Sequence, residues 1–131
     1  MEPLETPEGL RARADEDYLV AQYLRERDDE LITPICFHLQ QYVEKSIKSR
    51  LMELELPYGK THDLLLLTQM LPNGKDIEAA YGDDLIALTH FATTAKYSAR
   101  APNYDEMDRA FKAAPKIVSM VLQEERRASD T

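Results

Sequence analysis

The chain contains few of the residues that cross-link small domains or interrupt helices. Its 131 residues include one cysteine, four glycines, seven prolines and no tryptophan. A single cysteine excludes an intramolecular disulfide bond. No apolar run approaches the roughly 20 residues of a membrane-spanning helix, and the first residues do not resemble a secretory signal. We therefore expect a cytoplasmic protein that does not bind membranes.

Positive charge is also in short supply. The 16 lysines and arginines stand against 24 aspartates and glutamates, for a formal net charge of -8. Such a chain repels polyanions at long range, so nucleic acid could bind only through a local basic patch or a basic partner. Hydrophobic residues make up 44% of the sequence, enough for the core of one globular domain spanning residues 1–131.

Glycine and proline fall almost entirely between helical patterns, which favours an all-α fold with short connections. We predict an up-and-down bundle of four long helices plus one short helix, with frayed ends at 1–11 and 124–131. The predicted helices are 12–27, 33–55, 64–70, 76–99 and 104–127. The second is predicted to be capped by Thr33 and the third by Thr61. Gly82 should loosen the fourth helix, and Pro115 should bend or split the fifth.

The second predicted helix has two different faces. At about 100° per residue, its apolar side chains fall in one arc that should pack into the core. The members of this arc are Ile32, Cys36, Leu39, Val43, Ile47, Leu51 and Leu54. A stripe of hydrogen-bond donors and cations lies on the other side of the helix. The stripe consists of His38, Gln41, Lys45 and Lys48.

This stripe supports two interpretations. The two lysines could bind phosphate while Gln41 contacts a base or ribose, and His62, at the start of the third helix, could contact the same ligand. Alternatively, the stripe is a solvated or dimer-facing surface, and Glu44 pairs with Lys48 one turn away. Cys36 and His38 point in different directions, so they cannot share a zinc ion. We expect no metal site and no cofactor.

The fourth helix also carries two rows of side chains. One row is apolar and should face the core: Tyr81, Leu85, Leu88, Ala92, Ala95 and Ala99. The other mixes apolar and polar groups: Ile86, His90, Thr93, Tyr97 and Arg100. Aromatic and arginine side chains are favoured in subunit interfaces. The second row therefore predicts a homodimer interface, with an ordinary solvated face as the alternative.

The motifs ICFHLQQYVEKSIKS, THDLLLL and LTHFATTAKYSAR together resemble a HEPN domain, over roughly residues 12–123. The positions that match the first two motifs are Cys36, Phe37, His38, Gln41, Glu44, Lys45, Lys48, Thr61, His62, Asp63, Leu64 and Leu67. The resemblance implies a small prokaryotic helical bundle that often dimerises. It also implies a nucleotidyltransferase-like protein as partner, and a suspected role in binding nucleotides or RNA.

Many relatives in this family are ribonuclease toxins of toxin–antitoxin pairs, whose signature is an arginine followed by a histidine with four to six residues between them. Ten residues separate Arg27 from His38, eleven separate Arg50 from His62, and no arginine closer than Arg50 precedes His90. The signature is absent, so we predict a non-catalytic interaction or nucleotide-binding module. One alternative is a metal-independent ribonuclease whose site is assembled across a dimer. Another is a structural adaptor without a small ligand.

Overall fold

The computed structural model describes residues 5–97 and 101–123, except for the side chains of 92–97. It contains five helices in the order α1 (Pro7–Arg27), α2 (Ile32–Glu53), α3 (Leu64–Gln69), α4 (Gly74–Tyr97) and α5 (Tyr104–Leu122). Among the described residues there is no strand. The all-α prediction of four long helices and one short helix is confirmed.

Helix α2 lies at the centre of the bundle, in contact with each of the other four helices. The predicted apolar arc is buried from Cys36 to Leu51, and its two end members are half-buried. Burial extends beyond that arc to Ile35 and Tyr42, because neighbours surround α2 on several sides. A fully buried leucine or isoleucine contributes roughly 1.5–3 kcal/mol of transfer free energy, so α2 supplies much of the core.

Helix α1 begins earlier than predicted. Residues 7–11, expected to be frayed, form its first turns, because Thr6 accepts a hydrogen bond from the Gly9 amide at 2.9 Å and Pro7 occupies the first helical position. Asp17 therefore lies in the third turn of α1, too far from the helix N-terminus to interact favourably with the helix dipole. Residues 1–4 and 124–131, the other parts of the predicted frayed ends, lie outside the described residues.

Two predicted caps were wrong. Helix α2 starts at Ile32, with Thr33 inside its first turn and no side-chain cap at Leu31. Helix α3 starts at Leu64 because Asp63 accepts from the amides of Leu65 and Leu66, while Thr61 accepts from the Asp63 amide. His62 therefore lies in the loop that precedes α3.

Helices α3 and α4 meet in a close backbone approach. A Cβ atom on Gly74 would lie 2.2 Å from the carbonyl oxygen of Thr68, so only glycine fits there. This allows α4 to begin two residues earlier than predicted. Its break lies at Tyr81 (φ -135°, ψ 18°), next to the expected position at Gly82.

Helix α5 runs through Pro115 as one helix from Tyr104 to Leu122, so of the predicted bend or split the split does not occur. The proline removes one hydrogen bond, but the apolar stripe is buried on both sides of it, from Met107 to Leu122. A capping box formed by Asn103 and Glu106 secures the N-terminal end. The helix ends at Leu122, five residues before the predicted end, where Gln123 adopts a left-handed conformation.

Candidate ligand-binding surface on helix α2

Asp17 of α1 joins two residues of the predicted donor stripe. Its carboxylate accepts a hydrogen bond from His38 Nδ1 at 2.9 Å and from Lys45 Nζ at 2.7 Å, one through each oxygen. The Asp17 side chain is 11% exposed, whereas those of His38 and Lys45 are about one-quarter exposed (27% and 26%). We call these three residues the Asp17 cluster. It holds the two donors in a fixed relation at the surface between α1 and α2.

Glu44 organises the neighbouring part of the surface. It is buried, and it accepts hydrogen bonds from Gln40 at 2.8 Å, Lys48 at 3.2 Å and His62 Nδ1 at 2.9 Å. The predicted pairing of Glu44 with Lys48 is confirmed. Glu44 with these three partners forms the Glu44 cluster, which fastens the loop before α3 to α2.

Gln41 extends the Glu44 cluster by donating to Gln40 Oε1 at 2.7 Å. The Lys48 ammonium lies 5.5 Å from the centre of the Tyr58 ring, within reach of a cation–π contact. Burial raises the pKa of the Tyr58 hydroxyl, and the charges of Glu5 and Glu44 raise it further. The tyrosine therefore remains protonated beside the Glu44 carboxylate.

His38 and His62 each direct Nδ1 toward a carboxylate. An ionised carboxylate can only accept hydrogen bonds, so Nδ1 of His38 and of His62 must carry the proton in each pair. This leaves Nε2 of each imidazole for contacts beyond its cluster, as acceptor when the ring is neutral and as donor when it is charged. The His62 side chain is 70% exposed, which makes it the more accessible of the two.

A recess of about 300 Å³ opens beside Lys45, between the N-terminal part of α1 and α2. Its lining consists of Glu5, Thr6, Gly9, Leu10, Arg13 and Lys45. Arg13 brings a second cation to this recess, and Gly9 leaves it open because it has no side chain. The volume is that of a small organic ligand. We call this feature the Lys45 recess.

The structure places the five predicted ligand residues in two networks on α2. His38 and Lys45 meet at Asp17, Lys48 and His62 meet at Glu44, and Gln41 donates to Gln40. Of the five, Lys45 lines the Lys45 recess. Sequence reasoning missed Asp17 and Arg13. A signal for Asp17 was present, because it falls in the buried row Leu10, Ala14, Asp17 and Ala21, spaced by four, three and four residues. A carboxylate in the phase of an apolar row needs a partner from another element.

The structure describes only two side chains of the predicted dimer row. Ile86 is 54% exposed on α4, and His90 is also exposed. The side chains of Thr93 and Tyr97, and all of Arg100, lie outside the described residues. The row therefore stays a prediction.

Cys36 lies in the core, as its helical phase predicted, with 1% of its surface exposed. Burial, together with the nearby charge of Glu106, raises the pKa of its thiol to about 12. Within the described ranges, no group of three or more histidine, cysteine, aspartate or glutamate side chains could hold a metal ion. Likewise, none of the helices in that part of the chain is long and apolar enough to cross a membrane.

A larger groove, of about 390 Å³, lies between α4 and α5 but contains none of the predicted ligand residues. Four of its charged side chains form ion pairs: Arg109 donates to Asp84 at 2.8 Å, and Lys112 lies 2.8 Å from Asp108. The smaller Lys45 recess, which adjoins the Asp17 cluster, is therefore the better candidate for a ligand site.

Comparison with protein families gives one finding that fits this geometry. The model of the HEPN domain matches residues 7–126, so the chain belongs to the HEPN family. The resemblance identified from the motifs is thereby confirmed. Neither the curated proteins nor the solved structures gave a match.

Proposed function

We propose that this HEPN domain is a non-catalytic module that binds a phosphate-bearing ligand, either a nucleotide or short RNA, beside the Asp17 cluster. The supporting observation is the position of Lys45. Its ammonium is fixed by the buried Asp17 carboxylate and lines a recess that also contains Arg13. Donors held in advance lose little conformational freedom on binding.

Charge counting limits what such a site can bind. Asp17 and Glu44 balance Lys45 and Lys48, and Glu5 balances Arg13, so the surface is neutral when both imidazoles are neutral. A ligand must therefore be recognised by directed hydrogen bonds rather than by a strong positive field. A nucleotide supplies phosphate oxygens for the cations and a base or ribose for Gln41, which fits this requirement better than a free polyanion does.

The test is titration of a panel of nucleotides and short RNA oligonucleotides by calorimetry. Replacing Lys45 and Lys48 by alanine should weaken binding, since each lost charge-assisted contact costs roughly 1.5–3 kcal/mol. Arg13→Ala should weaken it by one such contact. Added salt should lower the wild-type affinity.

Lys75→Ala provides the matched control, because it removes the same charge from an exposed position on α4. Circular dichroism should show that the helix content of every variant is unchanged. Equal affinities for wild type and the double variant would eliminate the Lys45 recess as the ligand site.

A ribonuclease is the second candidate, and one observation favours it. An imidazole oriented by a carboxylate, with a lysine on the same carboxylate, is the kind of arrangement used for general acid–base chemistry. An RNA cleavage assay with His38→Ala, His62→Ala and His90→Ala separates the candidates. Cleavage that is metal-independent and disappears with one of these changes would replace the binding role by an enzymatic one.

We also propose, from membership of the family, that the domain forms a homodimer and acts with a nucleotidyltransferase-like partner. Co-expression with a nucleotidyltransferase-like protein encoded next to it should yield a stable complex. Sedimentation should show a dimer that Ile86→Asp shifts toward monomer, because the new carboxylate would be desolvated without a partner. A wild-type monomer at high concentration would disprove the dimer.

A further inference from the structure

The outer face of α1 exposes an apolar patch that no described helix covers. Leu19 is 64% exposed, Val20 39% and Tyr23 69%. These side chains are spaced by one and three residues, so they occupy adjacent turns on one side of the helix. They account for three of the eight large apolar side chains that are exposed in the described part of the chain. We call Leu19, Val20 and Tyr23 the α1 outer patch.

Acidic side chains surround this patch at both ends. Asp15 and Glu16 lie one turn before it, Glu26 lies one turn after it, and Asp28, Asp29 and Glu30 follow in the connection to α2; all six are exposed. Arg27 is the one exposed basic residue between positions 15 and 30, so this stretch has a net charge of -5. An apolar centre containing tyrosine, inside a charged rim, is the usual anatomy of a protein interface.

The negative charge around the α1 outer patch limits the kinds of partner that can bind there. A second copy would bring the same patch against itself, since a twofold interface is isologous, and would set acidic turns against acidic turns. Nucleic acids and anionic lipid surfaces carry the same sign of charge as the rim and are repelled. A protein with an apolar groove bordered by lysine or arginine is the complementary surface.

We propose that the α1 outer patch docks a partner protein through an apolar groove with a basic rim. This proposal deepens the interaction role proposed above by naming its surface, but it does not depend on phosphate binding at the Lys45 recess. The patch lies on the solvent side of α1, whereas Asp17 faces α2. Both sites can therefore be occupied at the same time.

A synthetic amphipathic helical peptide with a leucine face bordered by lysines serves as the probe. Two control peptides accompany it: one has glutamates in place of the lysines, and the other has the same composition in a scrambled order. Binding is measured by calorimetry and mapped by NMR shifts of the backbone amides. The lysine-bordered peptide should bind, should shift amides between positions 15 and 30, and should bind more weakly in added salt.

Leu19→Ala and Tyr23→Ala should each weaken peptide binding by about tenfold or more if they are anchors of the interface. Leu66→Ala is the matched control, because it truncates an exposed apolar side chain on α3 that belongs to neither proposed site. Lys45→Ala with Lys48→Ala should leave peptide binding unchanged while nucleotide binding falls. This pair of readouts distinguishes a failure of the docking surface from a failure of the ligand site.

Several outcomes would overturn the proposal. They are no binding of the lysine-bordered peptide, equal binding of either control peptide, or insensitivity to both α1 substitutions. A homodimer that Leu19→Asp dissociates would assign the patch to a second copy. Peptide binding that requires removal of residues 124–131 would assign it to the chain's own C-terminal segment.

Discussion

Asp17 and Glu44 each hold one lysine and one histidine, but at different depths and between different kinds of elements. The Asp17 cluster joins two long helices, and its lysine and histidine are about one-quarter exposed. The Glu44 cluster joins α2 to a loop. Its lysine is 13% exposed and its glutamate 6%, whereas its histidine is 70% exposed.

This difference in burial distinguishes a cluster that supports the fold from a cluster that can contact a ligand. Glu44 also accepts from Gln40, which is fully buried, so its carboxylate satisfies donors that cannot reach water. The donors on Asp17 can be hydrated if their partner is lost. The Glu44 cluster should therefore matter more for stability, and the Asp17 cluster, which borders the Lys45 recess, more for binding.

The largest effect is expected for Glu44→Ala. It leaves Gln40 and Lys48 without their acceptor in a buried position, which should lower the free energy of unfolding by about 3–5 kcal/mol. Urea denaturation followed by circular dichroism measures this loss. A loss below that of Asp17→Ala would reverse the comparison between the clusters.

Asp17→Ala should cost less, about 1–3 kcal/mol, because His38 and Lys45 can turn toward water. Asp17→Asn keeps one acceptor and should recover part of that loss. Nucleotide affinity should fall more in both Asp17 variants than in Glu44→Gln. This result would support a binding role for the Asp17 cluster and a stabilising role for the Glu44 cluster.

Substitution of the two histidines tests which cluster holds the loop before α3. His62→Ala removes a mostly exposed partner, so its effect on the free energy of unfolding should stay within about 0.5 kcal/mol. Hydrogen exchange of the loop amides before α3 should nevertheless become faster, because the loop loses its contact with Glu44. His38→Ala should leave that loop unchanged. Equal exchange in both variants would show that His62 does not hold the loop.

The smallest effect near neutral pH is expected from the ionisation of Cys36, which is buried in the core. Its thiol should resist alkylation in the folded protein and react after unfolding. Its pKa is raised to about 12, so the folded state favours the neutral thiol. The resulting stability is intact below the ordinary thiol pKa and is lost as pH rises toward about 12. Rapid labelling in native buffer at neutral pH would contradict this placement.

Local sequence patterns predicted much of the helical structure. The periodic apolar residues of α2 and α5 predicted buried faces that the structure confirms, and the expected break in α4 was misplaced by one residue. The errors were at helix ends. Thr33 and Thr61 are good capping residues, but the chain enters α2 from Leu31 and α3 from Asp63.

The donor stripe was identified from sequence, but of its partners only Glu44 was. His38, Lys45 and Lys48 share a helical phase that any reader of the sequence can compute. Arg13 gave no such signal, since it is one exposed arginine among several until the Lys45 recess places it near Lys45. Glu44 was identified as a motif position and as the partner of Lys48, but not as the acceptor for Gln40 and His62.

The sequence by itself determined the five helices, their apolar faces and the family, because periodicity and motif spacing are properties of the chain over short distances. Tertiary structure decided which carboxylate His38, Lys45 and His62 meet. Asp17 is 21 residues from His38, and Glu44 is 18 residues from His62. These pairs form only when α1 and the loop before α3 dock on α2, because the apolar burial that drives docking has no preference for particular polar partners.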